Sequence, residues 1–120
     1  MLVGCAPRED GIRIYNASEV NTNEAEEVFA KEDRLVSTNI IFHDEEMISG
    51  VTVKTFSRFH KEKIEKELKK KLKEAYPEFD IIVSADNKIV HKTSKLIQDK
   101  DDKNLGKELK KLVSLLKEET

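Results

Sequence analysis

The spacing of apolar residues changes period several times along the chain, and each change marks an element. From Leu35 to Phe42 the residues are rich in β-branched and aromatic types, which predicts a strand with Val36, Thr38, Ile40 and Phe42 on one face. His43-Asp44-Glu45-Glu46 is polar and turn-like, and Met47, Val51 and Val53 then alternate with Ser49, Thr52 and Lys54 in a segment reaching Phe56, completing a hairpin. Gly50 inside that segment marks a bulge or a close approach of another element. The period then lengthens: Ile64, Leu68, Leu72 and Ala75 form one stripe in a run otherwise made of Lys and Glu, predicting a long helix capped by Ser57 and ended by Tyr76-Pro77. Phe79, Ile81 and Val83 alternate in a third strand, and Ser84 and Asp86 are candidate caps for a helix from about Asn87 to Ile97. After the charged stretch Asp99 to Lys103, the spacing of Leu105, Leu109, Leu112, Val113 and Leu116 predicts a last helix. Upstream, Thr22 offers an N-cap, Glu24 an acid in the first turn, and Ala25, Val28 and Phe29 the buried side of a short helix to about Asp33.

The order is therefore αββαβαα, an α/β (α+β) fold. Three strands cannot bury a face alone, so the expected architecture is a small open-faced sandwich, a three-stranded mixed sheet with the helices on one face and the other partly bare. The hairpin pairs antiparallel, and the third strand lies either parallel to the second or beside the first. Residues 6–20 carry only Ile12, Ile14 and Tyr15 as sizeable apolar content beside Pro7, Gly11, Asn16 and Ser18 before Val20, and are read as a flexible tether to a domain spanning 21–120.

Composition narrows the function more by exclusion than by assertion. A chain of 120 residues with 38% hydrophobic and 6% aromatic content and no Trp builds one thin aliphatic core rather than a wide cofactor cavity. The net charge of -2 gives the whole chain no electrostatic pull on nucleic acid, although residues 1–50 carry -7 and residues 51–120 carry +5. Lys66, Lys69, Lys70, Lys71 and Lys73 form the basic run of the long helix. The interleaved Glu62, Glu65, Glu67 and Glu74 favour ordinary i,i+4 pairing over contact with anionic headgroups.

Nothing in the sequence assembles a catalytic or metal constellation. His43, His60 and His91 have no HxxxH or HExxH spacing, and the acidic stretch at Asp99 has Lys103 where a calcium loop needs an oxygen ligand. Ser84 and Ser94 lack a glycine elbow, Glu45-Glu46 are turn residues by composition, and no phosphate-binding glycine pattern occurs, so neither a cofactor nor an enzymatic activity is expected. Cys5 is the single cysteine, which excludes an intramolecular disulfide and a thiolate zinc site. Its context is more telling. Leu2-Val3-Gly4-Cys5 matches the lipobox of bacterial lipoproteins, in which an apolar, a small or β-branched and a small residue precede a cysteine that becomes diacylglyceryl-modified. Residues 1–5 are accordingly read as the remnant of a signal peptide and its lipobox.

The stretch from about Ala25 to Leu116 resembles the YhcN/YlaJ family of sporulation lipoproteins from endospore-forming bacteria. The hairpin from Val36 to Val53, the basic helix from Ile64 to Tyr76-Pro77, the strand ending Val83-Ser84-Ala85-Asp86, the helix through Leu96-Ile97 and the closing Leu105-Gly106-Lys107-Glu108-Leu109 with Leu112-Val113 carry the resemblance in order. It implies a non-enzymatic lipoprotein held by lipid on Cys5 on the extracytoplasmic side of a cell or spore membrane. Such a protein would act in sporulation, germination or outgrowth, with an envelope protein partner or self-association and no nucleic acid. The competing expectation is a soluble cytoplasmic α/β adaptor or regulatory protein whose Cys5 is a free thiol.

Overall fold

The structure is a computed structural model, and it describes residues 11–99 and 102–118. Strand β1 (Ile12–Asn16) is followed by α1 (Asn23–Ala30), β2 (Leu35–His43), β3 (Glu46–Val53), a 3₁₀ segment (Thr55–His60), α2 (Lys61–Ala75), β4 (Asp80–Ser84), α3 (Asn87–Asp99) and α4 (Asp102–Glu118). The four strands lie in the order β1-β2-β3-β4. β1 runs parallel to β2, β2 antiparallel to β3, and β3 parallel to β4. Two β-α-β units therefore stand side by side, joined through the β2–β3 hairpin, whose turn places Asp44 at a φ of 52°, a left-handed value that Asp tolerates.

The mixed α/β class holds, and four of its expected details change. The sheet has four strands, because Ile12–Asn16 is an edge strand and not part of a tether. Ile12 is 2% exposed and joins Ile14 on one face while Tyr15 packs on the other, so the domain includes residues before 21. Ile12, Ile14 and Tyr15 make three of its five residues strand-favouring, and so short a run is held as a strand by pairing with the edge of β2. Second, helices cover both faces. α1 and α2 bury Ala25, Phe29, Ile64, Leu68 and Leu72 against Ile40, Phe42, Met47, Val51 and Ile81. On the other face α3 and α4 bury Ile89, Ile97, Leu105, Leu109 and Leu112 against Ile41 and Ile48. The consecutive apolar run Ile40-Ile41-Phe42 reflects a strand covered on both sides. Third, Ser57 does not cap the long helix: it is buried within the 3₁₀ segment, and α2 starts at Lys61. Fourth, the β2–β3 register shifts between Leu35 and Ser37, which turns Val36 out of the core to 57% exposure.

Other expectations hold. The third predicted strand, now β4, is parallel to the second strand of the hairpin. Gly50 marks a close approach of α3. Asp86 caps α3 by accepting from the Lys88 N–H at 2.8 Å. Leu105, Leu109, Leu112 and Val113 are buried on α4, while the Leu116 side chain, residues 1–10 with Cys5, and Lys100-Asp101 lie outside the described residues.

The start of α1 has an unusual partner. Thr22 precedes it, but its hydroxyl donates to the Glu26 carboxylate at 3.0 Å and makes no capping bond. The Tyr76 hydroxyl takes over, accepting from the buried Ala25 N–H at 3.1 Å and donating to the Asn21 carbonyl at 2.7 Å. The residue that ends α2 thus caps α1 and ties the two β-α-β units together. Tyr76→Phe leaves the Ala25 donor buried without this partner and is expected to lower unfolding free energy by about 1–3 kcal/mol. Urea denaturation of the two proteins checks this, and equal midpoints would show that the cap is dispensable.

Candidate functional site

Strand polarity gathers several chain ends at one pole of the sheet. β1 and β2 begin there and β3 ends there, since Ile12 pairs with Thr38 and Leu35 with Val53. Gly11, at a φ of +76°, sits so tightly against this pole that an added Cβ would lie 2.7 Å from the Val36 carbonyl oxygen. Its own carbonyl accepts from the Thr38 N–H at 2.9 Å. The chain thus enters the domain at this pole, beside the exposed Val36.

The same pole carries the 3₁₀ segment. The Lys54 N–H donates to the Arg34 carbonyl at 2.9 Å, fixing the exit from β3, and the Ser57 N–H donates back to the Lys54 carbonyl at 2.9 Å. Three residues per turn place positions three apart on one side. Phe56 and Phe59 share such a side, and they are 81% and 84% exposed while Ser57 between them is buried. The Arg58 guanidinium carbon stands 5.4 Å from the Phe59 ring centroid, a cation–π contact. Residues 54–63 carry Lys54, Arg58, Lys61 and Lys63 against Glu62 alone, a net charge of +3 with His60 neutral, in a chain of net -2. Two outward phenylalanines within a cationic segment are the most distinctive surface feature of the described residues.

The residues weighed from the sequence are dispersed or structurally engaged. His43 lies at the opposite pole, its Nδ1 buried and 3.6 Å from the Asp44 carboxylate, with its ring against Gly106. His60 belongs to the 3₁₀ segment and His91 to α3. Among the described residues no group of His, Cys, Asp or Glu is placed to hold a metal ion. The Ser84 hydroxyl accepts from the Asp86 N–H at 3.2 Å, and Ser94 accepts from Arg13 at 3.0 Å. Glu45 lies in the hairpin turn and Glu46 opens β3. The Ser49 hydroxyl is fully buried without a hydrogen-bond partner, enclosed on the α1–α2 face where no solute has access.

The basic helix meets expectation only in part. Lys63 and Lys61 attract Glu67 and Glu65 at i,i+4 spacing, but no Glu–Lys salt bridge closes within α2 among the described residues. The hydrogen bonds of these acids go elsewhere. Glu67 reaches Arg34 at 2.7 Å, and the same guanidinium holds Glu32 at 2.6 Å, so both carboxyls are pulled below the usual carboxylate range by hydrogen bonds to Arg34. The Glu65 carboxylate accepts from the Ala85 N–H, yet burial raises its pKa. Lys66, Lys69, Lys70 and Lys73 line an open depression of about 410 Å³ with Glu74, and Lys73 donates to the Phe79 carbonyl at 2.8 Å. The depression is walled by lysine stems and lies open to solvent.

Sequence reasoning missed Phe56 and Phe59, placing the first at the end of a strand and the second inside a helix. The available signal is their i,i+3 spacing between cations, with Phe59 out of step with the Ile64, Leu68 and Leu72 stripe that follows. Among the described residues no helix is long and apolar enough to cross a membrane. Compared with family models, with curated proteins and with solved structures, the chain finds no match.

Proposed function

We propose that this chain is a lipid-anchored, non-enzymatic envelope protein, carrying a diacylglyceryl group on Cys5 and acting in sporulation, spore germination or outgrowth by binding an envelope protein or a second copy of itself. The observation that carries the anchor is Leu2-Val3-Gly4-Cys5, set six residues before Gly11, where the chain joins the sheet. A diacyl group supplies two chains to the bilayer, enough for stable attachment where a single chain gives only reversible binding. The spore setting rests on the resemblance to the YhcN/YlaJ lipoproteins, whose motifs fall here on the β2–β3 hairpin, α2 with Tyr76-Pro77, the Ser84-Ala85-Asp86 turn and α4.

Detergent-phase partitioning of the natively expressed protein tests this directly. The wild-type protein is expected in the detergent phase, with an N-terminal peptide that begins at Cys5 and carries the mass of the acyl groups. Cys5→Ala is expected in the aqueous phase with an unchanged circular dichroism spectrum. An aqueous wild-type protein with unmodified Cys5 and intact Met1 would replace this reading with that of a soluble adaptor.

A further inference from the structure

We propose that the pole formed by the 3₁₀ segment Thr55–His60 is a docking surface for an anionic lipid bilayer, in which Phe56 and Phe59 enter the interfacial layer while Lys54, Arg58, Lys61 and Lys63 meet headgroup phosphates. The proposal rests on the anchored reading for its setting and deepens it by naming which side of the domain faces the membrane.

Three independent observations converge on this pole. Two of the chain's five phenylalanines stand almost fully in water on one side of a single 3₁₀ turn, although the small core has every use for aromatic volume. The turn holds its geometry through the Ser57–Lys54 and Lys54–Arg34 backbone bonds, so the rings are presented from a fixed support rather than a loose tip. Their neighbours are cations, net +3 over residues 54–63, against the acidic balance of the whole chain. Aromatic rings with Lys and Arg around them suit the headgroup layer, where the ring body is dehydrated and each cation meets lipid phosphate.

Chain entry provides the third observation. Gly11 packs on Val36 and Ser37 at this same pole, and six peptide steps separate it from Cys5, a reach of at most about 20 Å. Lipid on Cys5 therefore holds this pole within about 20 Å of the bilayer, close enough for Phe56 and Phe59 to be delivered to it. A second copy of the chain fits the surface less well. A two-fold contact sets the same cations of each copy against each other with only Glu62 in the segment to offset them.

The test uses the full-length chain carrying Cys5→Ala, which binds without lipid on the cysteine. Co-sedimentation with vesicles of equimolar phosphatidylcholine and phosphatidylglycerol is expected to retain it, and pure phosphatidylcholine vesicles are not. Adding Phe56→Ser and Phe59→Ser should weaken binding about tenfold or more, and Arg58→Glu with Lys61→Glu should do the same, while raised salt weakens the parent protein. Because both rings are over 80% exposed, the serine variant should keep the parent's thermal midpoint. Failure of the Cys5→Ala chain to bind the anionic vesicles, or equal binding by the serine variant, overturns the docking surface. So does a dimer in sedimentation velocity that the serine variant dissolves. The two readings fail separately: vesicle binding beside an unmodified native Cys5 removes the anchor and keeps the surface, whereas an acylated native protein whose Cys5→Ala form ignores vesicles does the reverse.

Discussion

Phe42→Ala should unfold this domain more readily than any exposed substitution, lowering its stability by about 3–5 kcal/mol. Phe42 is fully buried in β2, paired with Asn16 of β1 on one side and Met47 of β3 on the other. Its ring lies 5.5 Å from Tyr76 at 58° and 5.8 Å from Phe79 at 88°, and those two rings meet each other at 5.8 Å and 72°. Tilted and edge-on geometries of this kind add to the area buried, because the positive ring edge meets a negative face. The three rings join the first β-α-β unit to the end of α2 and the start of β4. Truncation leaves a cavity between the two units and loosens Tyr76, whose hydroxyl caps α1. Thermal unfolding followed by circular dichroism is expected to show a midpoint lower by about 10 °C or more. A loss below about 1 kcal/mol would mean that neighbouring side chains collapse into the space and that this cluster does not hold the units together.

Gly50→Val carries the second large effect, and its sign opposes local propensity. Valine favours strands and glycine weakens them, so with room above β3 the substitution would stabilise. There is no room. A Cβ at position 50 would stand 2.7 Å from the Thr93 hydroxyl and 3.0 Å from the Val90 Cα of α3. That helix is seated where it is by Asn39, whose Nδ2 donates to the Val90 carbonyl at 3.3 Å from the strand position opposite Gly50. The Thr93 hydroxyl is itself committed to the Ile89 and Val90 carbonyls at 2.9 Å. Admitting valine pushes α3 off the sheet and opens the core built on Ile89 and Ile97, at an expected cost of about 3 kcal/mol. Thr93→Ala in the same protein should recover only part of the loss, because the Val90 contact is backbone. Chemical denaturation of Gly50→Val, Thr93→Ala and the double variant decides the point, and a Gly50→Val protein more stable than the parent would show that α3 does not pack against β3 at Gly50.

Both substitutions concern what lies beneath the helices, and that coverage bears on function. With α1 and α2 on one face and α3 and α4 on the other, neither sheet face remains for a ligand or partner. Among the described residues the exposed large apolar side chains are thereby Val36, Phe56 and Phe59, all at the pole where β1 begins. If Cys5 carries the proposed anchor, the cationic aromatic turn at the same pole would orient the domain on a membrane, with the Asp44 hairpin at the opposite pole.

Much of this was written in local pattern. The stripe Ile64, Leu68, Leu72 identifies α2 because one buried face is enough to hold a helix, and each of those residues is fully buried. Tyr76-Pro77 ends it by steric rule, and the alternation through Ile81 marks β4. Lys66, Lys69, Lys70 and Lys73 are legible as a solvated face. Their lack of salt bridges within α2 is not, since Glu67 answers to Arg34 just before β2 and Glu65 to the Ala85 N–H.

By itself, then, the sequence determined the elements held by their own periodicity and the mixed α/β class. Tertiary structure decided the edge strand Ile12–Asn16, the placing of α3 and α4 on the second sheet face, and the outward turn of Phe56 and Phe59. Each of these depends on a partner distant in the chain. A five-residue strand is stabilised by the edge it pairs with, and a helix by the face it covers. The two phenylalanines stand in water because the seating of α2 begins only at Ile64, beyond their reach.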